Sequence, residues 1–310
     1  MMKRNKINIL KKLFVLAFIT FITVSCYDDF VENEFDYTAV YFPQVTIDRT
    51  FIMGEGMRIG VGVVLGGRLV NTEDVEVTFS LSDTLLGTKT RLPDNYYQFL
   101  DSEGNLANNK ITIPAGKSQG FVFVKADSIN FLSDPMSLGN NYALGFGLDN
   151  VVGADSILVD LKTTKITFTY INQLFGNYIQ KGQFTKTPLD DPNTPEDESG
   201  PTETIVYPGQ ITDVLELTMV SPTTLEYSGI ADLRGADKKL NITVAADNSI
   251  TIQTATGGIP VVDENGSSYN PQTRELILNY SFDFNGNSYN CSDVLEFRNR
   301  IVDGVNQFDI

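Results

Sequence analysis

Short runs of alternating apolar and polar residues fill this chain, and turn-forming residues cut each run before it reaches helical length. Runs at 39–42, 57–65, 75–81, 111–113, 120–125, 142–148 and 157–169 follow this pattern, and period two is the signature of half-buried strands. Leu92-Pro93-Asp94-Asn95, Gly104-Asn105 and Pro114-Ala115-Gly116 are typical separators. No segment carries a sustained helical stripe with start and stop signals. Roughly seven strands in about 130 residues point to an immunoglobulin-like β-sandwich.

A break falls near Ile171-Asn172-Gln173. The second half opens with a short strand at 175–182, and further strands are expected at 214–219, 224–230, 240–245, 249–254, 275–284 and 288–297. Asp247-Asn248 and Asn285-Gly286 sit where tight hairpins need them. Sequential strands with tight turns fit an antiparallel barrel or a second sandwich; Gly176-Asn177-Tyr178 resembles the opening of lipocalin-like barrels. An insertion at 188–203 holds four of the twelve prolines and six acidic residues, a composition that buries little apolar area and predicts a loop.

The first residues give a location. Lys3, Arg4, Lys6, Lys11 and Lys12 precede an apolar run from Leu13 to Val24, followed by Ser25-Cys26. The run is short of the roughly 20 residues a membrane-spanning helix needs and fits a cleaved secretory signal at 1–25. Ser25-Cys26 resembles the lipobox of bacterial lipoproteins, which implies acylation of Cys26 and a lipid anchor as the membrane contact. The stalk at 26–36 carries Asp28 and Asp29 directly behind the cysteine. That cluster resembles the surface-export signal of Bacteroidetes lipoproteins; an acidic tether that keeps the anchor solvated accounts for it equally well. The domains are then 37–171 and 172–310, and the expected location is the outer membrane, facing outward.

Charge and missing residue types narrow the function. The net charge is −16, and removal of the leader with its five basic residues takes it to −21. Such a chain repels nucleic-acid phosphates and anionic lipid, so nucleic-acid binding is not expected, whereas neutral ligands or calcium remain open. The absence of histidine removes the commonest general base and metal ligand. Without tryptophan, tyrosine and phenylalanine must supply any stacking surface for sugars. Once Cys26 is acylated, Cys291 has no intramolecular partner, and a small buried residue in a strand is the expectation for it.

Local motifs give little catalytic chemistry. Gly116-Lys117-Ser118-Gln119-Gly120 matches the spacing of a nucleophile elbow, but strands flank it and no histidine can accept the serine proton; it reads as a hairpin turn. The glycines from Gly54 to Gly67 miss the dinucleotide-binding spacing, and alternate glycines in one strand mark a bulge or a close approach. Asp101-Ser102-Glu103-Gly104-Asn105 lacks the ligand spacing of a calcium loop. No catalytic residue, metal site or cofactor is expected. The candidate ligand-stacking aromatics are Tyr97, in Asn95-Tyr96-Tyr97, and Tyr207 and Tyr269, which fall outside the strand pattern.

Several segments together resemble a two-domain family of Bacteroidetes surface lipoproteins from glycan-utilisation loci, whose N-terminal sandwich also stands ahead of family-18 glycoside hydrolases. They are Val40-Tyr41-Phe42-Pro43, Leu92-Pro93-Asp94-Asn95-Tyr96-Tyr97, Ile111-Thr112-Ile113-Pro114-Ala115-Gly116, Asn141-Tyr142-Ala143-Leu144, Gly176-Asn177-Tyr178-Ile179-Gln180-Lys181-Gly182 and Asp293-Val294-Leu295-Glu296-Phe297-Arg298-Asn299-Arg300. The resemblance implies a non-catalytic protein that captures oligosaccharide or polysaccharide beside an outer-membrane importer. It supplies no binding residues. The other readings are a structural or adhesion protein of the envelope and, third, a glycosidase using a carboxylate pair.

Overall fold

The computed structural model describes residues 37–68, 71–189, 200–210 and 214–308. The leader at 1–25, the stalk at 26–36 with Cys26, Asp28 and Asp29, and most of the 188–203 insertion lie outside them.

The first half contributes β1 (Ala39–Tyr41), β2 (Thr46–Ile52), β3 (Arg58–Gly66), β4 (Val75–Leu81), β5 (Thr90–Arg91), β6 (Tyr97–Leu100), β7 (Lys110–Ile113) and β8 (Gln119–Ala126). A short helix, α1 (Ser128–Ser133), precedes β9 (Tyr142–Val152), β10 (Ser156–Ile157) and β11 (Thr163–Ile171). One sheet has the order β10-β1-β3-β8-β6, and the other β2-β11-β9-β4-β7 with β5 on β9. Alternation does what it should. Val61, Val63, Val122 and Val124 point inward from the first sheet to meet Val77, Phe79, Phe146 and Phe168 from the second, all within one apolar core.

Three expectations change in detail. The single strand at 157–169 is two strands, β10 and β11, separated by a 3-10 turn at Val159–Leu161. α1 is too short to show a helical stripe; the Asp127 carboxylate starts it by accepting from the amides of Ile129 and Asn130. The glycine turn at 116–120 is an arch rather than a hairpin, since β7 belongs to one sheet and β8 to the other. At that crossing a Cβ on Gly120 would lie 2.3 Å from the Thr112 carbonyl oxygen, so the chain needs glycine there to pass.

The second half forms one sheet. Its strands are β12 (Gly176–Pro188), β13 (Glu203–Val206), β14 (Val214–Met219), β15 (Thr224–Ser228), β16 (Lys239–Val244) and β17 (Ile250–Thr254). They continue with β18 (Val262–Asp263), β19 (Ser268–Asn270), β20 (Glu275–Phe284), β21 (Asn287–Val302) and β22 (Val305–Gln307). The order is β17-β16-β15-β14-β12-β21-β20-β18, with β13 on β12, β19 on β20 and β22 on β21. The free edges nearly close the sheet: the Ile250 amide donates to the Ser267 carbonyl at 3.0 Å and the Tyr269 amide to the Asn248 carbonyl at 2.9 Å. The Ile252 amide donates to an Asp263 carboxylate oxygen at 2.9 Å. Of the two architectures open from sequence, the nearly closed antiparallel barrel is the observed one. The strand expected at 175–182 continues to Pro188 because β21 and β13 flank its second half.

Candidate functional site

Where the two domains meet, the outer face of the sandwich's first sheet forms one wall of a groove. β3 and β8 pair so that Gly60 faces Phe123 and Gly62 faces Phe121. Because alternate residues take opposite faces, burying the valines of these strands turns both phenylalanines outward. The glycines leave room for the rings: a Cβ on Gly62 would come within 2.6 Å of the Phe121 ring. Phe121 is 43% exposed, and the two rings lie 6.2 Å apart and tilted by 34°. The Arg58 guanidinium stacks 3.7 Å above Phe123.

The barrel supplies the opposite wall through the β21–β22 hairpin, including Asp303 and Gln307, and Arg49 of β2 adds a further donor; the groove encloses about 490 Å³. Its walls are tied together. Arg300, with a side chain only 1% exposed, donates through Nη2 to Glu55 Oε1 at 2.8 Å and through Nε to Gln307 Oε1 at 2.6 Å. Asp303 accepts from the Thr50 amide at 3.3 Å and lies 3.5 Å from Arg49 Nη1.

The three tyrosines singled out from sequence fall in three different places. Tyr97, on β6, packs edge-on against Phe99 at 5.2 Å and lines a groove of about 400 Å³ beside α1 with Gln98 and Lys125. Burial, with the neighbouring Asp94 charge, pushes its hydroxyl up to about 12. Tyr269 is part of β19 rather than outside the strands; it lines a groove of about 300 Å³ at the other side of the domain junction, with Gln173 and Asn248. Tyr207 follows β13, but its hydroxyl is turned inward and donates to Asp293 Oδ1 at 2.7 Å, while its ring packs 5.5 Å from Phe184.

Asp293 is the centre of a polar cluster that sequence reasoning missed. It is fully buried in the barrel, and its Oδ2 accepts from the hydroxyls of Tyr227 at 2.8 Å and Tyr280 at 2.9 Å and from Gln180 Nε2 at 3.2 Å. Arg234 holds Gln180 from behind, donating to its Oε1 at 3.0 Å and to the Gly229 and Ala231 carbonyls. Burial raises the Asp293 carboxyl above its ordinary range despite these donors, and burial likewise pushes the Tyr227 and Tyr280 hydroxyls well up. A signal did exist in the sequence: Tyr289, Cys291, Asp293, Leu295 and Phe297 share one phase of a strand, and Asp293 is the one charged residue in that run. Cys291 is buried beside the cluster, a free thiol that burial raises.

The hydrogen-bond partners of Asp293 in the described residues are tyrosine hydroxyls and a glutamine amide, all donors to one buried carboxylate. Among the described residues no group of three or more acidic or cysteine side chains is placed to hold a metal ion. The phenylalanine groove, by contrast, is open to solvent and combines a flat apolar surface with polar rims.

Residues 32–155 match the model of an N-terminal domain family, a span that covers most of the sandwich. No curated protein sequence matches the chain. A Bacteroides ovatus protein of unknown function shares 19% identity with a TM-score of 0.66, over 88% of this chain and 98% of its own. Another Bacteroides ovatus protein of unknown function gives 11% identity and a TM-score of 0.41, over 88% of this chain and 100% of that one. A third, from Bacteroides ovatus ATCC 8483 and provisionally described as carbohydrate-binding, gives 12% identity and a TM-score of 0.31 over 69% and 67%. The last two likenesses are too low to carry an argument. The first shows that this chain shares its all-β, two-domain fold with a Bacteroides protein.

Proposed function

We propose that the protein is a non-catalytic glycan-binding lipoprotein, anchored through Cys26, that holds oligosaccharide in the groove between its two domains. The observation that carries this reading is the pair Phe121 and Phe123, kept solvent-facing on a rigid sheet by glycines opposite them. A sugar ring offers an apolar face and a hydroxyl edge. The groove offers aromatic rings below and Arg49, Asp303 and Gln307 at the rim, the usual combination of an apolar lining with a few placed polar groups. On a surface lipoprotein such a site would concentrate oligosaccharide for an outer-membrane importer.

A glycan array probed with wild type and Phe121→Ala tests the site. Loss of the stacking surface should weaken any bound glycan about tenfold or more, since removal of a central aromatic anchor typically costs at least 1–2 kcal/mol. Glycans bound equally by both proteins would move the site elsewhere, with the Tyr269 groove next in line. Binding to no glycan would favour the structural or adhesion role, and release of free sugar would make the protein an enzyme. The anchor is tested separately by palmitate labelling, which Cys26→Ala should abolish. Protease shaving of cells carrying Asp28→Ala with Asp29→Ala should show the protein withdrawn from the cell surface.

A further inference from the structure

The outer face that carries the two phenylalanines also carries an uncompensated pair of cations. Arg58 and Lys125 are direct cross-strand partners in the β3–β8 ladder, and like charges opposite one another on one sheet face destabilise it. A chain with 39 acidic and 23 basic residues has acids to spare for neutralising such a pair, yet among the described residues none is placed to do so. Among the described residues, no carboxylate lies within ion-pairing distance of either side chain. The nearby acids are committed elsewhere. Asp101 meets Arg58 through its backbone carbonyl at 2.5 Å, while its carboxylate accepts from the Glu103 and Asn105 amides at 2.9 Å. Asp127 caps α1, and Asp303 faces Arg49 and the Thr50 amide.

The geometry also fixes where the positive charge sits relative to the rings. The guanidinium carbon of Arg58 stands 3.7 Å from the centre of the Phe123 ring, which places its donors over that ring, beside Phe121. Phe121 lies on the far side of Phe123 from Lys125, two residues along β8 in each direction. A ligand resting on Phe121 therefore meets cationic donors at one end.

We infer that this groove selects acidic sugars: an oligouronate with one ring face on Phe121, one carboxylate received by Arg58 in the groove and another, further along the chain of sugars, by Lys125 at the adjoining Tyr97 groove. This rests on the glycan-binding reading and sharpens it, because the chain-wide acidity alone points to a neutral ligand. The bound carboxylates supply the counter-charge the sheet lacks, through charge-assisted hydrogen bonds that a guanidinium makes well.

Titration calorimetry of the purified protein with a short oligogalacturonate, and with the same oligomer fully methyl-esterified, tests the inference. The acid should bind about tenfold or more tightly than the ester, and its affinity should fall as salt is raised. Lys125→Gln and Arg58→Gln should each shrink the preference for acid over ester by about tenfold. Lys125→Gln relieves the like-charge pair, so its thermal midpoint should not fall, which separates lost binding from lost folding. Equal binding of acid and ester would overturn the inference and leave glycan binding standing. Polyglutamate bound as tightly as the uronate would also overturn it, showing a plain anion-binding face. Ester bound by wild type with no acid bound would refute it outright, and failure of wild type to bind either oligomer or any other glycan would remove both readings together.

Discussion

Each domain places a carboxylate under tyrosine hydroxyls, and the two carboxylates respond in opposite ways. In the sandwich, Asp134 accepts from Tyr142 and from Tyr96 at 3.1 Å and from the Met136 amide at 2.9 Å. Those donors, led by Tyr142, hold it below the ordinary carboxylate range. In the barrel, Asp293 receives three tyrosine hydroxyls and an amide, a richer set, yet its carboxyl is raised. The difference is water. Asp134 sits at the rim of its domain, so its charge keeps part of its hydration and the hydrogen bonds add to it. Asp293 has lost hydration completely, and desolvation outweighs the donors. Counting hydrogen bonds therefore gives the wrong sign for the buried site.

Removing the acids tests this contrast most severely. Asp293→Ala strands three hydroxyls and the Gln180 amide inside the barrel. With about 1–3 kcal/mol for each buried group left unpaired, partly relieved by rearrangement, the expected loss is about 3–5 kcal/mol in urea unfolding. A loss under about 1 kcal/mol would mean that water or a side-chain shift satisfies the cluster. Asp134→Ala should cost less, about 1–2 kcal/mol, because it removes a half-buried acceptor from Tyr142 and Tyr96 together with the cap on the turn that begins at Pro135, at a site that water can reach. Equal losses for the two variants would erase the distinction between rim and interior.

The finest test is the sign of the pH dependence. A raised carboxyl contributes stability that is fully present below its unfolded value, near 3.9, and is lost as pH rises through the folded value. The lowered Asp134 contributes stability above that unfolded value and loses it as pH falls through its lower folded value. Relative to Asp293→Asn, wild type should thus lose stability as pH rises from about 4; relative to Asp134→Asn, it should lose stability as pH falls below about 4. Denaturant midpoints across the acidic range measure both, and parallel slopes would show that burial does not dominate at Asp293.

Legibility from sequence followed the same boundary between local pattern and global environment. β4, β14 and β20 have the limits that alternation predicts, because one face of each is buried and the other is not. No alternation marks β2, since Thr-Ile-Asp-Arg-Thr-Phe-Ile offers only one fully buried residue, Phe51, and its edge position relaxes the pattern. β21 runs beyond its expected end at Phe297 because Arg298-Asn299-Arg300 looks like a polar terminus, while the other domain covers Arg300. The glycines of β3 were visible as a sign of close approach, but what approaches them, Phe121 and Phe123, depends on strand register. Tyr207 looked free because it stands outside a strand; its partner is 86 residues away.

The continuity of β21 has a mechanical consequence. One strand of 16 residues, about 50 Å from end to end and bulged once at Arg298, where Tyr178 and Asn177 pair with Phe297 and Asn299, carries Asp293 inside the barrel and Arg300 at the junction with the sandwich. Strands transmit tension along their axis with little stretch, and Arg300 is pinned to Glu55 of the other domain. A pull on the sandwich would therefore be delivered as shear to the wall of the barrel, directly across the ladder with β12, rather than dissipated in a linker.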